Sequence, residues 1–169
     1  MAIPASEPMK GVLAWSLIAL LLLAGCTPDV SKPGVSDDLE KLRGMIDLQI
    51  PAKSGRWEVF GTPEYTGGVP GPTFLITLVA ELHAERPWLD TQRDSTGPIY
   101  IAPEAARAWL SDDFRQLLEK DKGAQVELSS KANCRKFTTA LKKTGEPLTG
   151  FVCASPDRIL LYLTIWSEQ

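Results

Sequence analysis

Arg158-Ile159-Leu160-Leu161-Tyr162-Leu163-Thr164-Ile165-Trp166 alternates with a period of two and is apolar on both sides. Successive side chains of a strand point to opposite faces. Ile159, Leu161, Leu163 and Ile165 therefore face one way, and Leu160, Tyr162 and Trp166 the other. A strand apolar on both faces takes a central position in its sheet. Working back from it, Ser155-Pro156-Asp157 reads as a turn and Leu148 to Ala154 as the preceding strand. Arg135 to Lys142 is ambiguous. Thr138 and Thr139 suit a strand, whereas Phe137 and Leu141 lie four apart and Gly145 suits the end of a helix. The strand is preferred, because Leu148 to Ala154 then returns as its hairpin partner. That pairing brings Cys134 and Cys153 near each other at the open end.

Further toward the N-terminus, Gln125 to Leu128 and Ile99 to Ile101 are short strand candidates. Between them, Pro103 suits the first turn of a helix. Ala106, Trp109, Leu110, Phe114, Leu117 and Leu118 recur at helical spacing, and Gly123 lies just past the end. Ser111-Asp112-Asp113 interrupts this pattern, so the helix either runs through or restarts with Ser111 as its cap. Phe74 to His83 is a strand with one wholly apolar face (Phe74, Ile76, Leu78, Ala80, Leu82). Its other face, Leu75, Thr77, Val79, Glu81 and His83, turns polar at the end. Arg56 to Phe60 is a strand of the same kind, and Ile46 to Ile50 a short extended piece. Asp37 with Glu40 three residues on resembles a capping box. It opens a helix with Leu39, Leu42 and Ile46 on its apolar stripe, which Gly44 is expected to end. The order is helix, two or three strands, helix, then three or four strands. It predicts an α+β domain, a mostly antiparallel sheet of about five or six strands with two main helices against it.

Gly61 to Thr73 holds four glycines and three prolines and reads as a loop. Loops on rigid scaffolds often carry function. Tyr65, Val69, Pro70 and Pro72 are therefore the candidate contact residues.

The N-terminus speaks to location. Lys10 is followed by an uncharged run from Gly11 to Gly25, ending Leu20-Leu21-Leu22-Leu23-Ala24-Gly25-Cys26. The run is shorter than the ~20 residues that span a bilayer comfortably and suits a signal-peptide core. A start at Met9 gives the more compact signal, since Pro4, Glu7 and Pro8 fit it poorly. Residues 9–27 resemble the signal peptide and lipobox of bacterial lipoproteins. The resemblance implies that the Cys26 thiol carries a diacylglyceryl group and that cleavage leaves Cys26 as the first residue. Two or three acyl chains would hold the protein to a membrane far more firmly than the marginal binding of one. Thr27, where an aspartate tends to retain such proteins in the inner membrane, implies the periplasmic face of the outer membrane. An ordinary secretory peptide with a chance cysteine, or an uncleaved anchor, is the alternative. The expected organisation is signal peptide over 1–25, lipidated Cys26 and a Pro/Gly/Ser-rich tether to Ser36, and one globular domain over 37–169.

With Cys26 lipidated, Cys134 and Cys153 remain as a pair, and oxidising export compartments favour a disulfide. Closing a loop of about 20 residues contributes roughly 3 kcal/mol in the chain-entropy picture. Two buried free thiols, or a redox or metal site, are the alternatives. There is no Cys-x-x-Cys, and His83 is the sole histidine.

The net charge of −3 lacks the basic surplus that nucleic acid requires. Lys131, Arg135, Lys136, Lys142 and Lys143 make the C-terminal third locally basic, as expected of a solvated face or a lysine-protected sheet edge. Of the tryptophans after the signal, Trp57, Trp88, Trp109 and Trp166, most are expected in the core. His83 and Glu81, two apart on one strand face, are the weak catalytic candidates, and no Gly-x-Ser-x-Gly elbow accompanies them. Gly67-Gly68-Val69-Pro70-Gly71 lacks the Gly-Lys-Ser/Thr ending of a phosphate loop. No metal and no cofactor are expected. These features predict a membrane-tethered module that binds a protein in the periplasm, either an envelope accessory or an immunity-type lipoprotein neutralising a secreted antibacterial toxin. The alternative is a small enzyme using His83 on cell-wall or lipid substrates.

Overall fold

A computed structural model of the chain describes residues 34–64, 72–84, 87–90, 97–128 and 133–166. The elements are α1 (Leu39–Met45), β1 (Ser54–Thr62), β2 (Leu75–His83), α2 (Pro87–Asp90), β3 (Pro98–Tyr100), α3 (Asp112–Lys120), β4 (Gln125–Glu127), β5 (Cys134–Ala140), β6 (Pro147–Ala154) and β7 (Arg158–Trp166). Five strands form one antiparallel sheet in the order β1-β2-β7-β6-β5, and β3 pairs with β4 as a separate ribbon. The fold is α+β and mostly sheet, with β7 as the central strand.

Centrality follows from burial on both faces. Ile159, Leu161 and Leu163 pack under α1 and the segment after it, together with Trp57, Leu78, Ala80, Leu82 and Val152. Leu160 and Tyr162 face the opposite layer, where Phe114 and Leu118 of α3, Ile99 and Val126 of the ribbon, and the 101–110 segment cover the sheet. Phe151 stacks on its cross-strand partner Tyr162, ring centroids 4.9 Å apart. Two apolar layers on one sheet explain why β7 carries hardly any polar residue.

Arg135 to Ala140 is strand, as the hairpin reading requires, and Cys134 stands directly opposite Cys153. A disulfide joins the two. Several boundaries differ from expectation. The cap of α1 is Asp38, whose carboxylate accepts the Lys41 N–H at 2.8 Å. The motif is thus shifted by one from Asp37, no capping box forms with Glu40, and Gly44 lies within the last turn. The segment after α1 starts in extended backbone at Ile46, in keeping with the short extended piece expected there, but pairs too briefly to form a strand. Ile46 makes a single bridge to Leu141, and Asp47 donates its N–H to the Ala140 carbonyl at 3.0 Å.

The largest correction concerns the helix expected from Pro103. Residues 103–110 form successive turns, with bonds such as Ala105 N–H to the Ala102 carbonyl and Leu110 N–H to the Arg107 carbonyl, and the helix begins only at Asp112. Ser111 holds the N-cap position with no side-chain capping bond. Long-range bonds hold this segment. The Ala102 N–H donates to the Tyr162 hydroxyl at 2.8 Å, and that hydroxyl donates to the Tyr100 carbonyl at 3.0 Å. Gly123, at φ +72°, takes the chain out of α3 toward the ribbon.

One N-terminal segment guards both sheet edges. Ser36, assigned above to the tether, exchanges both backbone bonds with Trp57 on β1, each 2.8 Å. After α1 crosses the sheet, Ile46 and Asp47 meet the end of β5, and Lys142 donates to the Met45 carbonyl. Unpaired edges invite association with other chains, and these contacts shorten the exposed part of each. Arg135 and Lys136 lie on the edge strand β5, and Lys142 and Lys143 in the turn after it, as edge protection predicts; Lys131 is outside the described residues.

Candidate functional site

The register of β1 and β2 places Ser54 opposite His83 and Arg56 opposite Glu81, so these four side chains share one face of the sheet. With Gly55 and Trp109 they line a shallow cleft of about 290 Å³. Trp109 comes from the turn segment 103–110, and the Arg56 guanidinium lies 5.6 Å from its ring centroid. His83 is exposed. Glu81 is engaged elsewhere: one oxygen accepts Arg158 Nη1 at 3.0 Å and the other the Ser111 N–H at 2.8 Å. Hydrogen bonding to Glu81, opposed by desolvation and aided by Asp113, raises the Arg158 pKa. Among the described residues no hydrogen bond joins Glu81 to the His83 ring. The pair named from the sequence is thus brought to one cleft, with its carboxylate committed to holding α3 and β7 together.

Deeper on the same face lies a network that sequence reasoning missed. Glu58 is 4% exposed. Its carboxylate is gripped by Arg107 through both Nε (2.9 Å) and Nη2, and accepts the Trp109 indole N–H at 2.8 Å. Arg107 also reaches Glu64 through Nη1 (3.0 Å) and Nη2 (3.1 Å), and its guanidinium lies 4.6 Å from the Phe60 ring centroid. Thr62 donates its hydroxyl to Glu104 at 2.9 Å. The bonds to Glu58, against the cost of burial and with help from Glu64, raise the Arg107 pKa further, so it stays charged at any working pH. A buried carboxylate is tolerable only when paired and hydrogen-bonded, and Arg107 with Trp109 does both. Chemically the network is a clamp: it fixes the 103–110 turns and Glu64 to β1. The one sequence signal was Glu58 itself, a carboxylate on the same strand face as Phe60.

The opposite end of the sheet is where the 61–73 segment departs and returns. Tyr65, Val69 and Pro70 lie outside the described residues, while Pro72 is exposed. The face of β2 expected to be apolar and buried is covered only in part. Leu78, Ala80 and Leu82 are buried, but Phe74 is 39% and Ile76 42% exposed. The reason is reach. The covering layer of α1 sits over Leu78 to Leu82, and Ile76, opposite Gly61 and Ile165, lies past its end. Trp57 is core, Trp88 and Trp109 are half-buried, and the Trp166 side chain is outside the described residues.

Among the described residues no group of three or more His, Cys, Asp or Glu is placed to hold a metal ion. Cys26 and the segment that resembles a lipoprotein signal lie outside the described residues, and no helix among those described is long and apolar enough to cross a membrane. No family model, no curated protein and no solved structure matches the chain.

Proposed function

We propose that the chain is a lipid-tethered module of the bacterial outer membrane, facing the periplasm, that acts by binding another protein. The observation that carries the binding part is the exposure of Phe74 and Ile76 beside the departing Gly/Pro segment. Large apolar side chains grouped at one end of an otherwise covered sheet suit a contact surface. The Cys134–Cys153 bridge supports an oxidising compartment, in keeping with the lipobox-like run ending at Cys26. An envelope accessory and an immunity-type lipoprotein that blocks a secreted toxin share these features. A toxin gene beside this one would select the second.

The test is capture of a stoichiometric partner by the full chain from detergent-solubilised envelopes, beside a Phe74→Ser/Ile76→Ser variant. Both positions are exposed, so the variant is expected to fold with unchanged thermal stability and to lose at least tenfold in capture. Equal capture by both proteins, or none by either, would remove the proposal.

A further inference from the structure

We propose that the cleft between the β3–β4 ribbon and the parting ends of β6 and β7 binds a short neutral saccharide. This site goes beyond the protein contacts proposed above and does not depend on them. Backbone alternation opens it. The Leu141 N–H donates to the Glu146 carbonyl, so Glu146 and Leu148 turn their backbone groups toward β5. Thr149 turns toward β7, where it stands opposite Thr164 in the last pair of that ladder. Two residues back, Pro147 is the next position facing β7, and it has no N–H to donate. The ladder ends there, and a cleft of about 660 Å³ lies beside that end. That volume is in the range of ligand-binding clefts.

The polar groups of the lining are uncommitted. Gln125 of the ribbon, Glu146 and Thr149 are exposed. Among the described residues none of the three uses its side chain in a hydrogen bond: Glu146 is bonded through its N–H and its carbonyl, and Thr149 through its carbonyl, which accepts the Thr164 hydroxyl at 3.1 Å. The charged cleft at the other end of the sheet differs in this respect, since its Glu81 is held by Arg158 and the Ser111 N–H. An amide, a carboxylate and a hydroxyl facing one space offer donors and acceptors together. Sugar hydroxyls, each a donor and an acceptor at once, use both.

The rest of the lining narrows the ligand. Tyr100, Pro98 and Pro147 add carbon surface against which the C–H faces of sugar rings can pack. Glu146 is the one charged side chain among the described lining residues, and the Lys136 ammonium lies beside Gly97, next to Pro98. One acid and one neighbouring base leave no surplus charge to draw in an ion. A hydrocarbon chain is disfavoured as well, because it would take water from three polar side chains and return no hydrogen bond. Thr149 and Thr164 share the sheet face of Phe151 and Tyr162, whereas Ile76 shares that of Leu78, so the cleft and the Phe74–Ile76 patch lie on opposite faces. Occupying one leaves the other open.

The full chain, in a detergent without a sugar headgroup, is titrated calorimetrically with maltotriose, chitotriose and trigalacturonate. At least one of the two neutral trisaccharides is expected to bind saturably, with trigalacturonate at least tenfold weaker. Binding of chitotriose alone would assign the cleft to N-acetylated glycans, and binding of maltotriose to sugar hydroxyls in general. Gln125→Ala and Thr149→Val, both at exposed positions, should each weaken binding at least fivefold with thermal unfolding unchanged. Glu146→Lys should narrow the gap to trigalacturonate at least fivefold. Absence of binding by both neutral sugars to the folded wild-type chain would overturn the proposal. So would equal binding of trigalacturonate, or binding that survives Gln125→Ala and Thr149→Val combined. Capture of a protein through Phe74 and Ile76 is read separately, and neither result alters the other.

Discussion

Arg107 and Tyr162 each join distant parts of the chain through atoms the core cannot leave unpaired. Arg107 neutralises Glu58 across a separation of 49 residues. Replacing it with leucine strands a buried carboxylate, so Arg107→Leu is expected to cost about 3–5 kcal/mol in urea unfolding. A Glu58→Leu/Arg107→Leu pair should recover part of that loss, since the deeply buried carboxylate is removed with its partner, while Glu64 still loses its arginine and the Trp109 N–H its acceptor. Additive losses in the pair would contradict the clamp. Tyr162 is wholly buried, and desolvation pushes its hydroxyl up to about 12 from a normal 10.0. Between these values the folded state holds a proton that the unfolded chain has released. The stability from this group is therefore complete below pH 10 and lost as pH rises through about 12. The span is worth roughly 3 kcal/mol. Alkaline melting curves should show that loss, and Tyr162→Phe should flatten it while costing about 1–3 kcal/mol at neutral pH, where the Ala102 N–H loses its acceptor. Neither residue's role was legible in the sequence. Periodicity reports which face a residue takes, whereas these bonds depend on partners tens of residues away.

Strands were more legible than helix ends. The period-two runs at 74–83, 148–154 and 158–166 all became strands within a residue or so of expectation, because each buries a face against neighbours of the same kind. The hairpin logic also decided Arg135 to Ala140, where propensity alone was divided. It placed Cys134 opposite Cys153, and the bridge there closes a sequence separation of 19. Removing both cysteines as alanines is expected to cost about 2–4 kcal/mol, read as a lower denaturation midpoint with a somewhat steeper slope, because the unfolded chain without the bridge is less compact. A loss under half a kcal/mol would mean that the hairpin is held by its ladder alone. The helix expected from Pro103 failed for a physical reason. Ala106, Trp109 and Leu110 have helical spacing, but Tyr162, Glu58 and Glu64 pull the segment's backbone and Arg107 into turns. The exposed end of β2 was missed for a similar reason, since an apolar stripe does not state how far its cover extends.

Across the whole molecule, the two apolar layers and the guarded edges leave the Phe74–Ile76 patch uncovered. It lies at one end of the sheet, while the charged cleft of Ser54, Arg56, Glu81 and His83 lies at the other. The proposed binding role places its contacts at the first end, and the proposed lipid anchor at Cys26 would hold them near a membrane. The central claim joins that tether to an oxidised, exported domain. Intact-mass and peptide mass spectrometry of the native protein from bacterial membranes tests it most directly. The account predicts a chain beginning at Cys26, its thiol carrying a diacylglyceryl group, with Cys134 and Cys153 linked. A chain that keeps its leader, or begins elsewhere with Cys26 unmodified or absent, would contradict it.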